Sequence, residues 1–168
     1  LPVGLEGDPA VIAAELSRLA ARGILPIDRL QALEPEVLAR FFRTDLAKRM
    51  AASANVWREV PFSYGLPAEA LDPGMSMPKA PEDGTEADPG ETVLVQGVID
   101  CVFAEDDGLV LLDYKTDAVR SEAALAGIRD RYALQIDVYA RALAEIWRTP
   151  VKEAHLFLFD TGTSIRMK

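Results

Sequence analysis

Two short apolar runs constrain this chain most, because each one carries charged residues that a buried strand would normally lack. GVIDCVF (residues 97–103) contains Asp100, and VLLDYKT (residues 110–116) contains Asp113 and Lys115. Both runs are rich in Val, Ile, Leu and Phe, which predicts β-strands. Alternate residues of a strand point to one face, so Asp113 and Lys115 share a face whose earlier members are leucines.

The segment between the two runs predicts a tight hairpin. It reads Glu-Asp-Asp-Gly, and Asp-Gly is a strong hairpin signal. If the turn is centred near Asp106 and Asp107, then Asp100 and Asp113 lie roughly opposite each other on antiparallel strands. Buried carboxylates are costly unless they are paired or hold a metal. The pattern therefore indicates a site for a hard divalent cation and a negatively charged substrate.

The composition is that of one globular domain. The chain has 168 residues, of which 49% are hydrophobic and 27% are charged. Its net charge of −9 argues against a stand-alone nucleic-acid binder, so something else would have to hold most of any nucleic-acid substrate. Cys101 is the only cysteine, which excludes an internal disulfide and a cysteine-rich metal site. We expect Cys101 in the core, a cytoplasmic setting and no membrane partner.

Helix signals predict an N-terminal helical layer over residues 1–53. Asp8-Pro9 is an N-cap followed by proline at the first helical position, and Gly23 closes that helix. Because the chain begins with Leu1, we expect it to be a fragment of a longer protein that forms a single domain over residues 1–168. Three more short helices are expected at residues 26–33, at residues 35–42, and from a Thr44 cap to about residue 52.

Residues 54–168 predict the remainder of the domain. Residues 54–64 alternate in polarity and include Glu59, and Pro61 favours an edge or bulged strand. Residues 65–91 are broken by five prolines and carry several acids, which predicts a surface insertion. We expect a short helix or ordered loop at residues 121–127, a strong amphipathic helix at residues 129–147 and a strand at residues 153–160.

Five motifs occur in a fixed order along the chain: WREVPF, VLVQGVIDCVF, LVLLDYKTD, YALQIDVYARAL and VKEAHLFLFDTG. Together they resemble the RecB-type nuclease domain of the PD-(D/E)XK superfamily, and most of all the C-terminal nuclease domain of AddA proteins in bacterial AddAB helicase–nucleases. The D-x-K pattern alone is weak, whereas the ordered set is specific and covers nearly the whole chain from about Asp8. The resemblance implies an α/β, restriction-endonuclease-like catalytic core with a central mixed β-sheet flanked by helices.

The resemblance also implies a metal site. Asp100 and Asp113 match the metal-binding carboxylates, and the backbone carbonyl of Tyr114 matches a third ligand. Glu59 matches an upstream acid that could bind the metal through water. The implied cofactor is Mg²⁺, for which Mn²⁺ could substitute.

Three further residues match family positions next to that metal. Lys115 matches a catalytic lysine that orients the attacking water and balances charge on the phosphate. Gln135 and Tyr139 match a pair on the helix behind the site, which contacts DNA or supports the metal site. In the family, an earlier helix supplies a histidine to the metal, but the only histidine here is His155, in a late strand without a motif match. We therefore expect weakened or absent activity from the isolated chain.

Two functions from different classes follow from the resemblance. The first is a metal-dependent DNA exonuclease domain that hydrolyses single strands fed by an attached or partner helicase, in double-strand break repair and recombination. The second is a non-catalytic module that docks within a DNA-repair complex.

Less specific interpretations of the site residues also stay open. Asp113 and Lys115 could form a solvated salt bridge at a strand end. Glu59 could be a surface acid, Gln135 and Tyr139 could be ordinary helix packing, and His155 could be a structural strand residue.

Overall fold

The computed structural model describes residues 7–67 and 92–168, and four helices form its N-terminal layer. The start signals act as expected, since Asp8 accepts a hydrogen bond from the backbone N–H of Ala10 and Thr44 accepts one from that of Ala47. Gly23 follows the first helix with a φ of +67°, which glycine adopts without strain. The helices are α1 (Pro9–Ala21), α2 (Ile27–Ala32), α3 (Pro35–Phe42) and α4 (Asp45–Ala52).

A five-stranded mixed sheet follows the helices and confirms the predicted α/β fold class. The strands are β1 (Val56–Pro67), β2 (Thr92–Glu105), β3 (Gly108–Lys115), β4 (Val151–Leu158) and β5 (Thr163–Arg166). They lie side by side in chain order, and every neighbouring pair is antiparallel except β3 and β4. The parallel pair is connected through α5 (Glu122–Trp147), as parallel strands require a long crossover.

The hairpin that joins β2 to β3 is the one predicted from the Asp-Gly signal. Glu105 pairs with Gly108, so Asp106 and Asp107 form a two-residue turn. Gly108 has a φ of +146°, and a Cβ at this position would lie 2.7 Å from the carbonyl oxygen of Pro150. The turn therefore requires glycine for both its conformation and its close contact.

The predicted insertion at residues 65–91 starts too early. Gly65 pairs with Leu94 and Pro67 pairs with Thr92, so residues 65–67 belong to β1. Because β1 is an edge strand within the described sheet, proline can sit in it with its nitrogen turned away from the ladder. The rest of the predicted insertion, residues 68–91, lies outside the described residues.

α5 is longer than predicted. It begins at a cap from Ser121 and runs without interruption through residues that were expected to be a separate short helix or loop. Gly127 does not break it, because one glycine costs a helix only about 1 kcal/mol relative to alanine, which the burial of this helix on the sheet outweighs. Neither α5 nor any other helix in the described ranges is both long and apolar enough to cross a membrane.

Helices cover both faces of the sheet. On one face, Ile136 and Leu143 of α5 share a buried cluster with residues of β2, β3 and β4. On the other face, α3 and α4 bury a second cluster in which the ring centroids of Phe41 and Phe157 lie 4.9 Å apart. Cys101 is 1% exposed in this second cluster, as expected of a core cysteine. The sheet is thus held rigidly, and only strand ends can carry accessible polar groups.

Candidate active site

Asp113 and Lys115 lie at the end of β3, on the face that α5 covers. Their side chains are only 3% and 15% exposed, and Lys115 Nζ lies 2.7 Å from Asp113 Oδ2. Such burial argues against the interpretation of this pair as a solvated surface salt bridge. A buried ion pair has a large desolvation cost, so its presence requires another explanation than surface solubility.

The side-chain alternation of β2 slips by one residue at Asp100. Ile99 and Val102 both belong to the cluster under α5, although three positions separate them, whereas Cys101 belongs to the opposite cluster. Regular alternation would put Ile99 and Cys101 on one face. The slip releases Asp100 from both faces of the sheet.

β1 is distorted at the same level. Arg58 pairs with Cys101 and Val60 pairs with Ile99, which leaves Glu59 facing Asp100, as predicted for neighbouring strands. Glu59 has a φ of +52°, a left-handed conformation that residues other than glycine rarely adopt. The two strands therefore kink together at a pair of acidic residues, a kind of distortion that is common beside functional sites.

β2 and β3 separate at Asp100. Their pairing ends at Cys101 opposite Leu112, so the next facing positions are Asp100 and Asp113, as the hairpin predicted. The Asp100 side chain reaches sideways to β3, where its Oδ2 accepts a hydrogen bond of 2.8 Å from the backbone N–H of Tyr114. This contact fixes one carboxylate at the mouth of a gap between two strands.

The backbone of Tyr114 also faces this gap. In a strand, the N–H and C=O of one residue point to the same edge, and the Tyr114 N–H points at Asp100. The carbonyl of the next residue, Lys115, points to the other edge, where it accepts a hydrogen bond of 3.0 Å from the N–H of Phe159. The Tyr114 carbonyl is therefore directed to the Asp100 side of β3.

Burial raises the pKa of Asp113. Desolvation of its carboxylate is the largest cause and the nearby Asp100 adds to it, while the ammonium of Lys115 opposes both. Asp113 Oδ2 is buried, and the described residues provide it with no hydrogen bond of normal geometry, although Lys115 Nζ is in ionic contact. A bound cation would stabilise the ionised form of this oxygen.

The donor set fits a hard divalent cation. The two facing carboxylates and the Tyr114 carbonyl are oxygen ligands of the kind that Mg²⁺ and Mn²⁺ prefer. Glu59 is exposed and does not complete a three-acid cluster. In the part of the chain that the structure describes, no three His, Cys, Asp or Glu side chains lie close enough together to hold one ion.

α5 holds Lys115 from the other side. Lys115 Nζ donates a hydrogen bond of 3.2 Å to Gln135 Oε1, and Gln135 Nε2 donates one of 2.8 Å to the Tyr139 hydroxyl. The Tyr139 ring packs edge-on against Phe62, with the centroids 5.3 Å apart. A spacing of four residues puts Gln135 and Tyr139 on one helix face. The structure therefore connects both predicted helix residues to Lys115, which ordinary helix packing would not require.

Two residues at this site were not predicted from the sequence. Lys115 Nζ lies 4.2 Å from the ring centroid of Tyr132, and the Tyr132 hydroxyl donates a hydrogen bond of 2.9 Å to Asp117 Oδ2. The available signals were weak. Tyr132 precedes Gln135 by three positions in the same apolar stripe, and Asp117 directly follows the DYKT motif.

His155 has the structural role that the sequence suggested. Its ring is 9% exposed, and its two nitrogens lie 2.9 Å from Glu153 Oε2 and 3.2 Å from Ser164 Oγ. Both ring nitrogens are therefore engaged within β4 and β5, and neither is directed to a metal.

A mixed sheet whose third strand ends in a buried Asp-Tyr-Lys, opposite an aspartate on the second strand, is the arrangement of a nuclease family. The chain belongs to the PD-(D/E)XK nuclease superfamily, whose family model matches residues 4–166. This confirms the family predicted from the sequence motifs.

The relatives within that superfamily are AddA proteins, which are named as ATP-dependent helicase/nuclease subunits. The chain is 42% identical over 161 residues to the AddA protein of Geobacillus kaustophilus, and 44% identical over 164 residues to that of Desulforudis audaxviator. These matches cover 92% and 95% of this chain, respectively, but only 12% of each relative. The predicted likeness to AddA is confirmed, and the chain spans about an eighth of the length of these relatives.

Proposed function

We propose that this chain is the catalytic module of a metal-dependent DNA exonuclease that works within a helicase–nuclease. The observation that carries the proposal is the buried Asp113–Lys115 pair facing Asp100 across the gap between β2 and β3. Burying these charges destabilises the fold unless they serve a site, because an ion pair of this kind is rarely stabilising. The position of the chain within the superfamily supports the same function.

In this proposal, Asp100, Asp113 and the Tyr114 carbonyl hold Mg²⁺, which Mn²⁺ can replace. When bound, the metal lowers the pKa of a ligand water and stabilises negative charge in the transition state. Glu59 faces Asp100 and is exposed, so it can take part through a water molecule. The kink at Glu59 and Asp100 supports these roles, because it turns an acid toward the gap instead of into the core.

Lys115 acts beside the metal ligands. Its ammonium is held between Asp113 and Gln135, where it can orient a water molecule and balance charge on the phosphate. Gln135 fixes the lysine, and Tyr139 fixes Gln135 through the hydrogen bond between their side chains. Both helix residues are in addition candidates for contact with DNA.

The proposed substrate is a DNA single strand delivered by a helicase, either attached to this chain or carried by a partner protein. A net charge of −9 disfavours a strong independent grip on DNA, so a motor that holds the strand would remove this difficulty. The relatives named as helicase/nuclease subunits support such an arrangement. We place the activity in double-strand break repair and recombination, in the bacterial cytoplasm.

The test is cleavage of linear single-stranded DNA by the intact protein in Mg²⁺ or Mn²⁺. Asp113→Asn should remove metal-dependent cleavage, by about a thousandfold or more if the charge of one ligand is essential. Asp137→Asn is the matched control, since it removes the same charge from an exposed ion pair with Arg141 on α5. Cleavage that survives Asp113→Asn, or a wild-type protein without cleavage, would favour the non-catalytic docking module instead.

A further inference from the structure

We propose that Tyr132 is a positioning residue for Lys115, and that Asp117 fixes the ring of Tyr132. The inference deepens the proposed function and rests on it, because it assigns the control of the lysine to residues outside the matched motif set. A lysine has a flexible four-carbon side chain and a compact charge, so an ammonium that must act at one place has to be held there.

Three different groups surround the Lys115 ammonium. Asp113 Oδ2 lies at 2.7 Å, Gln135 Oε1 lies at 3.2 Å, and the Tyr132 ring centroid lies at 4.2 Å. The face of an aromatic ring attracts a cation through its quadrupole. The ring provides no strong acceptor for an N–H proton, so it holds the charge without competing with water or phosphate for those protons. Tyr132 therefore limits where the ammonium can move and leaves its donors available.

The ring of Tyr132 is itself held at both ends. Its Cα belongs to α5, and its hydroxyl donates to Asp117 Oδ2 at 2.9 Å. The other oxygen of Asp117 accepts a hydrogen bond of 2.8 Å from Arg131 Nη1. Asp117 follows Lys115 by two residues, so the ring is connected to the same strand end that carries the lysine. Helix and strand end are thereby kept in one arrangement around the ammonium.

Kinetics of variants in the intact protein separate the ring from the hydroxyl. Tyr132→Leu should lower kcat on single-stranded DNA about tenfold or more with KM changed less than twofold, because the ring is lost but no predicted DNA contact is removed. Tyr132→Phe keeps the ring face and should stay within about threefold of wild type. Tyr64→Leu is the matched control, since Tyr64 is also half-buried and donates to a carboxylate of α5, Glu145, at 2.6 Å.

Two further measurements keep the proposal testable if Tyr132→Leu fails to fold. Replacing Tyr132 by 3,4,5-trifluorophenylalanine keeps the shape of the Phe variant and weakens the ring quadrupole, so kcat should fall below that of Tyr132→Phe. Reductive methylation of Lys115, followed by mass spectrometry, should be slow in wild type and several-fold faster in the fluorinated variant. This second readout does not depend on catalysis.

The outcomes distinguish the two proposals. If Lys115 is methylated equally fast with the Phe and the trifluorophenylalanine side chains, and kcat is also equal, the positioning role of Tyr132 is wrong. If wild type cleaves no DNA but the methylation rates differ as expected, the nuclease proposal fails while the geometric role of Tyr132 stands. A loss of kcat in Tyr64→Leu equal to that in Tyr132→Leu would show a general packing effect and would also overturn the inference.

Discussion

Replacement of Arg49 by Met should uncouple the helical layer from the sheet. Arg49 lies on α4, and its Nε and Nη2 each donate a hydrogen bond of 2.9 Å to the carboxylate of Glu105, while Nη1 donates one of 2.9 Å to Glu153. Glu105 ends β2 and Glu153 lies in β4. One guanidinium therefore connects a helix with two strands, and methionine retains much of its aliphatic volume without the charge.

The size of the effect follows from the two carboxylates. Hydrogen bonds from Arg49 are the largest cause that lowers the pKa of Glu105 and of Glu153, each from 4.5 to about 2. At about 1.4 kcal/mol per pKa unit, each shift corresponds to about 3 kcal/mol as an upper bound. Lys152 and His155 retain part of these interactions. We expect Arg49→Met to lower the free energy of unfolding by roughly 2–4 kcal/mol at pH 7.

The pH dependence identifies the cause of this loss. Because the folded pKa of each carboxylate is lowered, its stabilisation is complete well above pH 4.5 and disappears as the pH falls toward 2. Less than half of the effect should remain at pH 3. Urea unfolding of wild type and Arg49→Met at pH 7 and pH 3 measures it, and Arg18→Met, in a surface pair with Glu15, is a control expected to lose no more than about 1 kcal/mol. An equal loss at both pH values would refute the electrostatic explanation.

Three further predictions concern glycine, cysteine and the helix side of the site. Gly97→Ala puts a Cβ 2.9 Å from a buried aromatic ring, so it should destabilise the protein by about 1–3 kcal/mol in thermal unfolding. Gly127→Ala, in open space on α5, should instead stabilise it by about 0.5–1 kcal/mol. Burial raises the pKa of Cys101 to about 11, so iodoacetamide at pH 8 should modify the thiol only after unfolding. Gln135→Ala should reduce kcat about tenfold or more, because Lys115 loses its acceptor on α5.

The sequence was sufficient where local patterns determine the structure. The alternation along β3 places Asp113 and Lys115 on one face, and the Asp-Gly signal sets the hairpin that brings Asp100 opposite Asp113. Both inferences use only neighbouring residues and the period of a strand. Helix caps such as Asp8 are local in the same sense.

Distortions that depend on other strands could not be predicted. A strict period of two would leave Asp100 on one face of β2, yet the kink it shares with Glu59 turns its carboxylate to the backbone of Tyr114. A positive φ at Glu59 has no sequence signal, because glutamate does not favour that conformation. Tertiary packing likewise overrode glycine in α5 and the expected loop start at residues 65–67.

The contact between Tyr132 and Lys115 is tertiary in origin as well. Spacing assigns Tyr132 to the apolar stripe of α5 together with Gln135, but the register between α5 and the end of β3 determines which ring meets the ammonium. A pattern within one helix contains no information on that register. The sequence thus predicted which elements form the site, while the packing determined its detailed contacts.

Calorimetric titration of the intact protein with Mg²⁺ or Mn²⁺ tests the central claim most directly. Wild type should bind the metal, and Asp100→Ala and Asp113→Ala should each abolish measurable binding, because the two facing carboxylates are the charged ligands. Asp137→Asn, in the surface pair, should bind as wild type does. Metal binding that is unchanged in Asp100→Ala and Asp113→Ala, or absent from wild type, would contradict a catalytic metal site between β2 and β3.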